Sequence, residues 1–240
     1  MTIGIREPHF TAPPGALAAL TFCRVRPAPG RMVMPDICCD LVWARGRLAL
    51  TGPTATASYS RNVGHDVQLL RLDPLVARAW LRTPLILFTK ESVSLAEIAP
   101  RLASELEPLN EAGQLATLVR PAGNVVEAGV DPRLVAAVRA VRSGLSVARV
   151  AEMVSLSERQ LERLFVHNLG LAPKVFARII RLRRALGHAT AGASLVRSAA
   201  AAGYADQAHF SRDVAAFTGT NPRALLPNVG NVQDIVAGDM

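Results

Sequence analysis

Two segments of this chain repeat one pattern, and the repeat limits the folds that the chain can form. The first runs from Ser157 to Pro173, SERQLERLFVHNLGLAP, and the second from Asp206 to Pro222, DQAHFSRDVAAFTGTNP, at an offset of 49 residues. Each begins with a residue type that caps helices and closes on Gly and then Pro. The pattern predicts two helices that bury one face and expose an Arg, as in a duplicated helix-turn-helix. The matching positions are Leu161 with Phe210, Arg163 with Arg212, Gly170 with Gly219, and Pro173 with Pro222.

Short helices are predicted throughout the region that contains both segments. Capping residues open helices at Asp131, Ser146, Ser157, Ser194 and Asp206, and Ser157 with Gln160 has the spacing of a capping box. A longer helix is predicted to begin at Pro173 and to run through Leu186, and Asn221-Pro222 begins a last short turn. The inward positions of the longer helix are Phe176, Ile179, Ile180 and Leu186.

The outward faces of the two repeated helices carry the side-chain types that read base edges. Arg pairs bidentately with guanine, Gln with adenine, and Glu accepts from cytosine. This mixture favours base reading over phosphate binding alone, for which a Lys/Arg-rich face would be expected. The predicted DNA-contacting residues are Ser157, Glu158, Arg159, Gln160, Glu162 and Arg163 on the first helix and Gln207, Ala208, His209, Ser211 and Arg212 on the second.

Each of these residues also has a simpler interpretation. Arg163 and Arg212 would then pair with neighbouring acids or contact phosphate, Glu158 would serve only the helix N-terminus, and His209 would be a packed or capping residue. The longer helix carries Lys174, Arg178, Arg181, Arg183 and Arg184, and the simpler interpretation is a solvated face. We favour a rigid spacer that lies near phosphates, with Arg181 contacting DNA, and that holds the recognition helices roughly 34 Å apart in successive major grooves.

Basic charge is concentrated in this helical region. Residues 131–227 contain 14 Lys/Arg and 6 Asp/Glu, whereas residues 1–130 contain 13 and 11. A GC-rich genome explains the preference for Arg over Lys, but it does not explain the difference between the two halves. An excess of positive charge in one domain suits a phosphate backbone.

The N-terminal half is predicted to be rich in β-structure. Strands at 37–43 and 47–52 flank the turn Ala44-Arg45-Gly46, and 67–72 is a third strand. Asp73-Pro74 begins a helix through about Leu81, and a single helix is predicted for 94–106. The predicted organisation is an α+β chain with a sensor or dimerisation domain at 1–110, a linker at 111–130 with a short helical piece at 111–119, a helix-turn-helix domain at 131–227, and a flexible tail at 228–240.

The segment 131–227 resembles the AraC-type transcriptional regulators. GYADQAHFSRD (203–213) is similar to the second helix-turn-helix signature of that family, and SERQLERLF followed by GLAPKVFARIIRLRRAL is similar to its first recognition helix and linker helix. The resemblance implies an all-α domain of two helix-turn-helix units, a DNA-binding transcription factor and a homodimer. Ala208 replaces the usual Ser, Val214 the usual Phe, and Ala215-Ala216 a basic pair. These departures predict a second unit with a looser core that grips phosphate less tightly, so that specificity rests mainly on the first.

The N-terminal region resembles, less specifically, a sensor domain found in one branch of this family. The residues that carry the likeness are MPDICCDLVW, GRLALTGP and LRLDPLVARAWLRTP. Ile37 stands where that branch usually has Gly, and the region is short, which indicates a trimmed or partly degenerate sensor fold. A small-molecule effector is therefore one hypothesis, with Trp43, Trp80, Phe88 and Tyr59 as candidate lining residues.

No motif indicates catalysis or a bound cofactor. The sequence has no nucleophile elbow, phosphate-binding Gly loop or His-rich metal motif, so we predict neither an enzyme nor a metal site. Asp36, Asp40, His65, Asp66 and the three cysteines match no standard zinc spacing, and we expect Asp36 to make a turn. Cys38 and Cys39 would point to opposite faces of a strand, with at least one in the core, so a thiol or metal sensor that controls the same DNA-binding region is the third hypothesis.

These observations predict a sequence-specific transcription factor that binds double-stranded DNA at a promoter. Its other expected partners are a second copy of the chain, RNA polymerase and an unidentified effector. The start MTIGIREPHF lacks a secretory signal and no stretch would span a bilayer, so the expected location is cytoplasmic and no disulfide is expected. The alternative is an accessory regulator that acts through protein–protein contact, with weakened or non-specific DNA binding because the second unit has decayed.

Overall fold

The strands of this protein precede its main helical region. The computed structural model describes residues 21–27, 29, 32–60, 64–89, 92–113 and 130–226. The predicted tail, the first 20 residues and positions 114–129, which include most of the predicted 111–119 helical piece, lie outside the described residues. The order of elements confirms the α+β class, with a β-containing N-terminal part and an all-α C-terminal part.

The N-terminal part is built on an antiparallel sheet. In chain order the strands are β1 (Thr21–Val25), β2 (Met32–Val33), β3 (Cys39–Ala44), β4 (Arg47–Thr51), β5 (Ser58–Tyr59), β6 (Val67–Leu72) and β7 (Val93–Ser94). Five of them form one sheet in the order β1-β6-β3-β4-β7, and β2 pairs with β5. The predicted hairpin is confirmed, because Trp43 lies opposite Leu48, and Arg45 and Gly46 take positive φ in the turn. The third predicted strand is β6.

Of the two helices in the N-terminal part that begin at a proline, α1 confirms its prediction and α3 does not. Helix α1 (Pro74–Leu81) begins as predicted, with the Asp73 carboxylate accepting a hydrogen bond from the Leu75 N–H at 2.8 Å. A 3₁₀ helix, Leu85–Phe88, comes next. The single helix predicted for 94–106 is wrong, since the chain forms α2 (Leu95–Ile98) and α3 (Pro100–Glu111). Pro100 cannot donate a backbone hydrogen bond and drives Ala99 out of the helical region, to φ −147° and ψ 65°.

The C-terminal part consists of helices whose predicted starts are confirmed. They are α4 (Pro132–Arg142), α5 (Val147–Met153), α6 (Glu158–Leu169), α7 (Pro173–Thr190), α8 (Leu195–Ala201), α9 (Gln207–Thr218) and α10 (Pro222–Leu225). Helix α7 runs four residues past its predicted end at Leu186. The side chains of Ser146, Ser157, Ser194 and Asp206 cap α5, α6, α8 and α9 as predicted.

The repeat that was predicted from the sequence is present in the fold. Leu161 of α6 and Phe210 of α9 are both fully buried. Gly170 and Gly219 end these helices at φ 74° and 70°, in the left-handed region that favours glycine. The two pairs α5–α6 and α8–α9 therefore form equivalent helix-turn-helix units, and α7 joins them.

The N-terminal and C-terminal parts pack against each other. Their buried apolar residues form one continuous cluster, and α6 packs against α1 and the 3₁₀ helix. Arg78 of α1 donates from Nε to Asn168 Oδ1 of α6 at 3.0 Å. The strand-rich part therefore supports the helices that carry the predicted DNA-contacting residues.

Candidate nucleic-acid interface

Helix α6 is held rigidly at its start and along its inner face. The Ser157 hydroxyl accepts from the Gln160 N–H at 3.2 Å, and Gln160 Oε1 accepts from the Ser157 N–H at 2.9 Å, which completes the predicted capping box. Leu161, Phe165 and Leu169 are fully buried. This anchoring fixes the direction of the outer face. It also means that the Gln160 carbonyl oxygen is already engaged, which leaves its amide NH₂ for a base.

The outer face of α6 is open to solvent along the whole predicted contact surface. Arg159 and Arg163 form no ion pair with any residue in the described part of the chain, which disfavours the simpler interpretation of Arg163 as a partner of nearby acids. Glu158 lies 3.9 Å from Lys174 Nζ, an exposed pair of little energetic weight. The structure thus brings together six exposed polar residues: Ser157, Glu158, Arg159, Gln160, Glu162 and Arg163.

Helix α9 offers a poorer outer face than α6. Gln207, His209 and Ser211 are half-buried, whereas Ala208 and Arg212 are exposed. The His209 ring packs edge-on against Tyr204, with centroids 5.1 Å apart, which fits the simpler interpretation of a packed histidine. Arg212 is the one predicted reader on α9 that is both charged and exposed among the described residues.

A buried carboxylate that the sequence reasoning missed anchors α9 to α7. Asp213 is 4% exposed and accepts from Arg178 Nη2 at 2.8 Å and from the Tyr204 hydroxyl at 3.1 Å. The Arg178 guanidinium also lies 4.7 Å from the centre of the Phe217 ring. An Asp next to the core position Val214 was the signal that could have identified this anchor. Val214 itself is fully buried.

The basic residues of α7 do not form the single solvated face of the simpler interpretation, and they do not all lie on one stripe that could face phosphates. Arg178 pairs with Asp213, and the Arg181 guanidinium lies half-buried over the Tyr204 ring at 5.1 Å. Arg183 is only 2% exposed and lies 3.5 Å from Asp36 of the N-terminal part, so its assignment to that stripe is wrong. Lys174 and Arg184 remain exposed. Contact between Arg181 and DNA stays a prediction.

The N-terminal candidates separate into buried and exposed groups. Asp36 accepts from the Cys38 N–H at 3.2 Å, so the predicted turn is confirmed. Cys38 and Cys39 are both buried, and burial, with Cys38 and Asp40 adding to it, raises the pKa of the Cys39 thiol well above its usual range. No group of three or more His, Cys, Asp or Glu in the described chain is arranged to hold a metal ion.

The four aromatic residues predicted to line a pocket do not all line the cavity that lies beside Trp43. Trp43 lines an open cavity of about 300 Å³ between the β3–β4 turn and α3, and its indole N–H has no hydrogen-bond partner among the described residues. Trp80, Phe88 and Tyr59 do not line that cavity. Its polar lining includes Arg45, Arg47, Gln68, Asn110 and Glu111.

Comparison with known proteins gives a family match in the C-terminal part and structural matches over most of the chain. A family model described as a helix-turn-helix domain matches residues 150–227. No curated protein has a matching sequence. Solved structures of ToxT from Vibrio cholerae align over most of the chain: one has a TM-score of 0.47 at 10% identity and covers 89% of this chain and 100% of its own.

Two further ToxT structures from this organism align in the same way. The structure from Vibrio cholerae O395 has a TM-score of 0.45 at 9% identity, covering 88% of this chain and 98% of its own. The structure bound to (E)-4-(8-methylnaphthalen-1-yl)but-3-enoic acid has a TM-score of 0.45 at 10% identity, covering 88% of this chain and 100% of its own.

Among the helices that the structure describes, none is long and apolar enough to cross a membrane.

Proposed function

We propose that the chain is a DNA-binding transcription regulator that recognises one specific promoter sequence, chiefly through α6. The match of residues 150–227 to a helix-turn-helix family model of the AraC type supports this proposal. The observation that carries this proposal is the exposed face from Ser157 to Arg163, held on a capped and buried helix. Because this helix is already rigid, little conformational entropy is lost when it enters the major groove.

The chemistry of the two helices predicts unequal roles. Arg159 and Arg163 are long, exposed donors that suit guanine, and Glu162 suits the amino group of cytosine. Helix α9 contributes Arg212 to the same kind of contact. The other proposed DNA-contacting residues near it are Gln207, Ala208, His209 and Ser211 of α9, and Arg181 of α7, whose guanidinium lies over the Tyr204 ring. We propose that α9 orients the protein on the DNA and adds some affinity, whereas α6 supplies most of the preference for particular bases.

The N-terminal part is proposed to sense a small molecule and to hold two copies of the chain together at the promoter, where RNA polymerase is contacted. The cavity beside Trp43 supports an effector site, because the charged and amide side chains of Arg47, Gln68 and Asn110 line it together with Trp43. Such a site would suit a small polar ligand with an acceptor group.

The test is selection of bound fragments from genomic DNA by the purified full chain at roughly physiological salt. The same selection is repeated with Arg163→Ala and, as a matched control, with Arg149→Ala. Arg149 is an exposed residue of α5, the first helix of the same unit, and its side chain pairs with Glu152. We expect one enriched motif, a loss of preference worth about 1–3 kcal/mol at particular base pairs for Arg163→Ala, and the same base preferences for Arg149→Ala. A wild-type chain that enriches no motif would falsify the proposal.

A second candidate function is an accessory regulator that acts through protein–protein contact. The observation in its favour is the exposed surface of α9, on which Ala208, Ala215 and Ala216 replace polar or basic residues. In that case DNA binding is weak, indifferent to sequence and steeply dependent on salt. The selection described above separates the two functions, because only the sequence-specific regulator enriches a motif.

A further inference from the structure

The N-terminal part contacts four different helices of the DNA-binding part through polar groups. Asp73, at the start of α1, forms an ion pair with Arg142 at the end of α4. The Ala57 N–H donates to the Phe217 carbonyl near the end of α9 at 2.8 Å. Together with the bond from Arg78 to Asn168 of α6 and the contact of Asp36 with Arg183 of α7, these contacts reach both helix-turn-helix units and the helix that joins them.

The contact at Arg183 extends a buried group of charges across the boundary between the two parts. In the N-terminal part, Arg71 lies 2.9 Å from Asp36 and 2.8 Å from Asp40, so two carboxylates face one guanidinium. Burial opposes the charge on Arg71, but Asp40 and Asp36 outweigh it and raise the pKa of that guanidinium. Arg183 supplies the second positive charge from α7. Separation of the parts would take this guanidinium away from Asp36, and removal of one partner from a buried ion pair is strongly unfavourable.

The recognition faces remain open while these contacts are in place. The outer face of α6 and Arg212 of α9 are exposed in the structure in which the N-terminal part is docked. Docking therefore does not block the groove-reading residues. It constrains instead the elements that determine how the two recognition helices sit relative to each other.

We propose that the N-terminal part is a splint that fixes the placement of α6 relative to α9, with Arg142 and Arg183 as positioning residues. The DNA site then consists of two blocks of base pairs, one contacted by α6 and one by α9, and the protein accepts only one spacing between them. This inference rests on the proposed sequence-specific function. The splint contacts no base itself. It acts by removing the arrangements of the two units that would fit other spacings.

The test measures the affinity of the full chain for duplexes that carry the selected motif with its two blocks moved apart or together by one or two base pairs, and for a duplex that keeps only the α6 block. The variants are Arg142→Gln, Arg142→Lys and Ala57→Pro, the last of which removes the N–H that donates to Phe217. Arg139→Gln, an exposed Arg one turn earlier on α4, is the matched control. Arg183→Met is added if its melting temperature and helicity match the wild type.

We expect the wild type to prefer the native spacing by about tenfold, and Arg142→Gln and Ala57→Pro to reduce that preference to about twofold while affinity for the single block stays unchanged. Arg142→Lys keeps the charge beside Asp73 and is expected to restore the preference, and Arg139→Gln to retain it. A folded Arg142→Gln variant with the wild-type spacing preference overturns the splint, as does a selected motif with only one block. Both of these outcomes leave the proposed regulator intact, whereas a chain that selects no motif removes both.

Discussion

Gly170 and Gly219 end the two recognition helices in the same left-handed conformation, but only Gly170 lies against the N-terminal part. At Gly219 an added Cβ would meet no atom within 4 Å. At Gly170 it would collide with Thr89 Cγ2 and lie 3.3 Å from the Leu85 carbonyl oxygen. The equivalent glycines of the repeat therefore have different roles: both permit the helix end, and Gly170 also permits the close approach of the 3₁₀ helix.

Alanine at these two positions is expected to separate the cost of backbone conformation from the cost of contact. Gly219→Ala should lower the free energy of unfolding by about 1 kcal/mol, because a Cβ disfavours the left-handed region. Gly170→Ala should lower it by about 2–4 kcal/mol, since overpacking adds to the same conformational cost. Urea unfolding of both variants measures the difference, and equal losses would show that the 3₁₀ helix does not approach Gly170 as described.

A second pair of matching positions lies in the turns of the two units, each two residues after the end of the first helix of its unit. Ser155, between α5 and α6, has φ 55°, and Gly203, between α8 and α9, has φ 81°. The first unit thus places a side chain in a conformation that its counterpart leaves to glycine. Since nothing lies within 4 Å of a Cβ at Gly203, substitution there tests the backbone alone.

Ser155→Gly is expected to raise the stability of the protein by about 0.5–1 kcal/mol, because glycine relieves the left-handed strain. The reverse change, Gly203→Ala, should lower stability by about 1 kcal/mol. Thermal unfolding followed by circular dichroism measures both. If Ser155→Gly lowers the melting temperature, the Ser155 side chain contributes something that outweighs its strained backbone.

The sequence predicts the helical domain well because its signals are local. Caps such as Ser157, the glycine at 170 and the apolar stripe around Phe165 specify each helix within a few residues, and the repeat fixes their register. The break between α2 and α3 could also have been predicted, since Pro100 restricts the backbone of the residue before it. The apolar residues of 94–106 follow a continuous helical spacing, however, and this spacing favoured a single helix. The burial of Arg183 could not be predicted, because a basic residue on a helix is normally expected to be exposed. Its partner Asp36 is distant in the sequence, and only the fold brings the two together. The anchor at Asp213 was missed for the same reason.

The two adjacent cysteines are expected to resist modification in the folded protein. Cys39 is fully buried, and burial raises the pKa of its thiol, so little thiolate is present at neutral pH and reagents cannot reach it. Treatment with iodoacetamide at pH 8 followed by mass spectrometry should label the half-buried Cys23 first and Cys39 only after unfolding. Cys23→Ser is the control and should remove the early label. Equal labelling rates of Cys23 and Cys39 in the native protein would revive the thiol-sensor hypothesis.

Tyr204 is expected to make stability dependent on alkaline pH. Burial, reinforced by the charge of Asp213 and by the hydrogen bond to it, raises the pKa of the Tyr204 hydroxyl. The folded protein therefore keeps this proton at a pH where the unfolded chain has lost it, above about 10. The contribution of Tyr204 to stability is fully present below that pH and declines as pH rises, by at most about 1.4 kcal/mol per pH unit.

Urea unfolding of the wild type, Tyr204→Phe and Tyr59→Phe at pH 9 and pH 11 measures this dependence. Tyr204→Phe should be less stable than the wild type at pH 9, since Asp213 loses a donor, but it should lose less stability between the two pH values because it has no phenol to ionise at that position. Tyr59 is 65% exposed, and Tyr59→Phe should follow the wild type. Parallel losses in Tyr204→Phe and the wild type would mean that the Tyr204 hydroxyl is open to solvent, and that Arg178 alone holds Asp213 and the second recognition helix against α7.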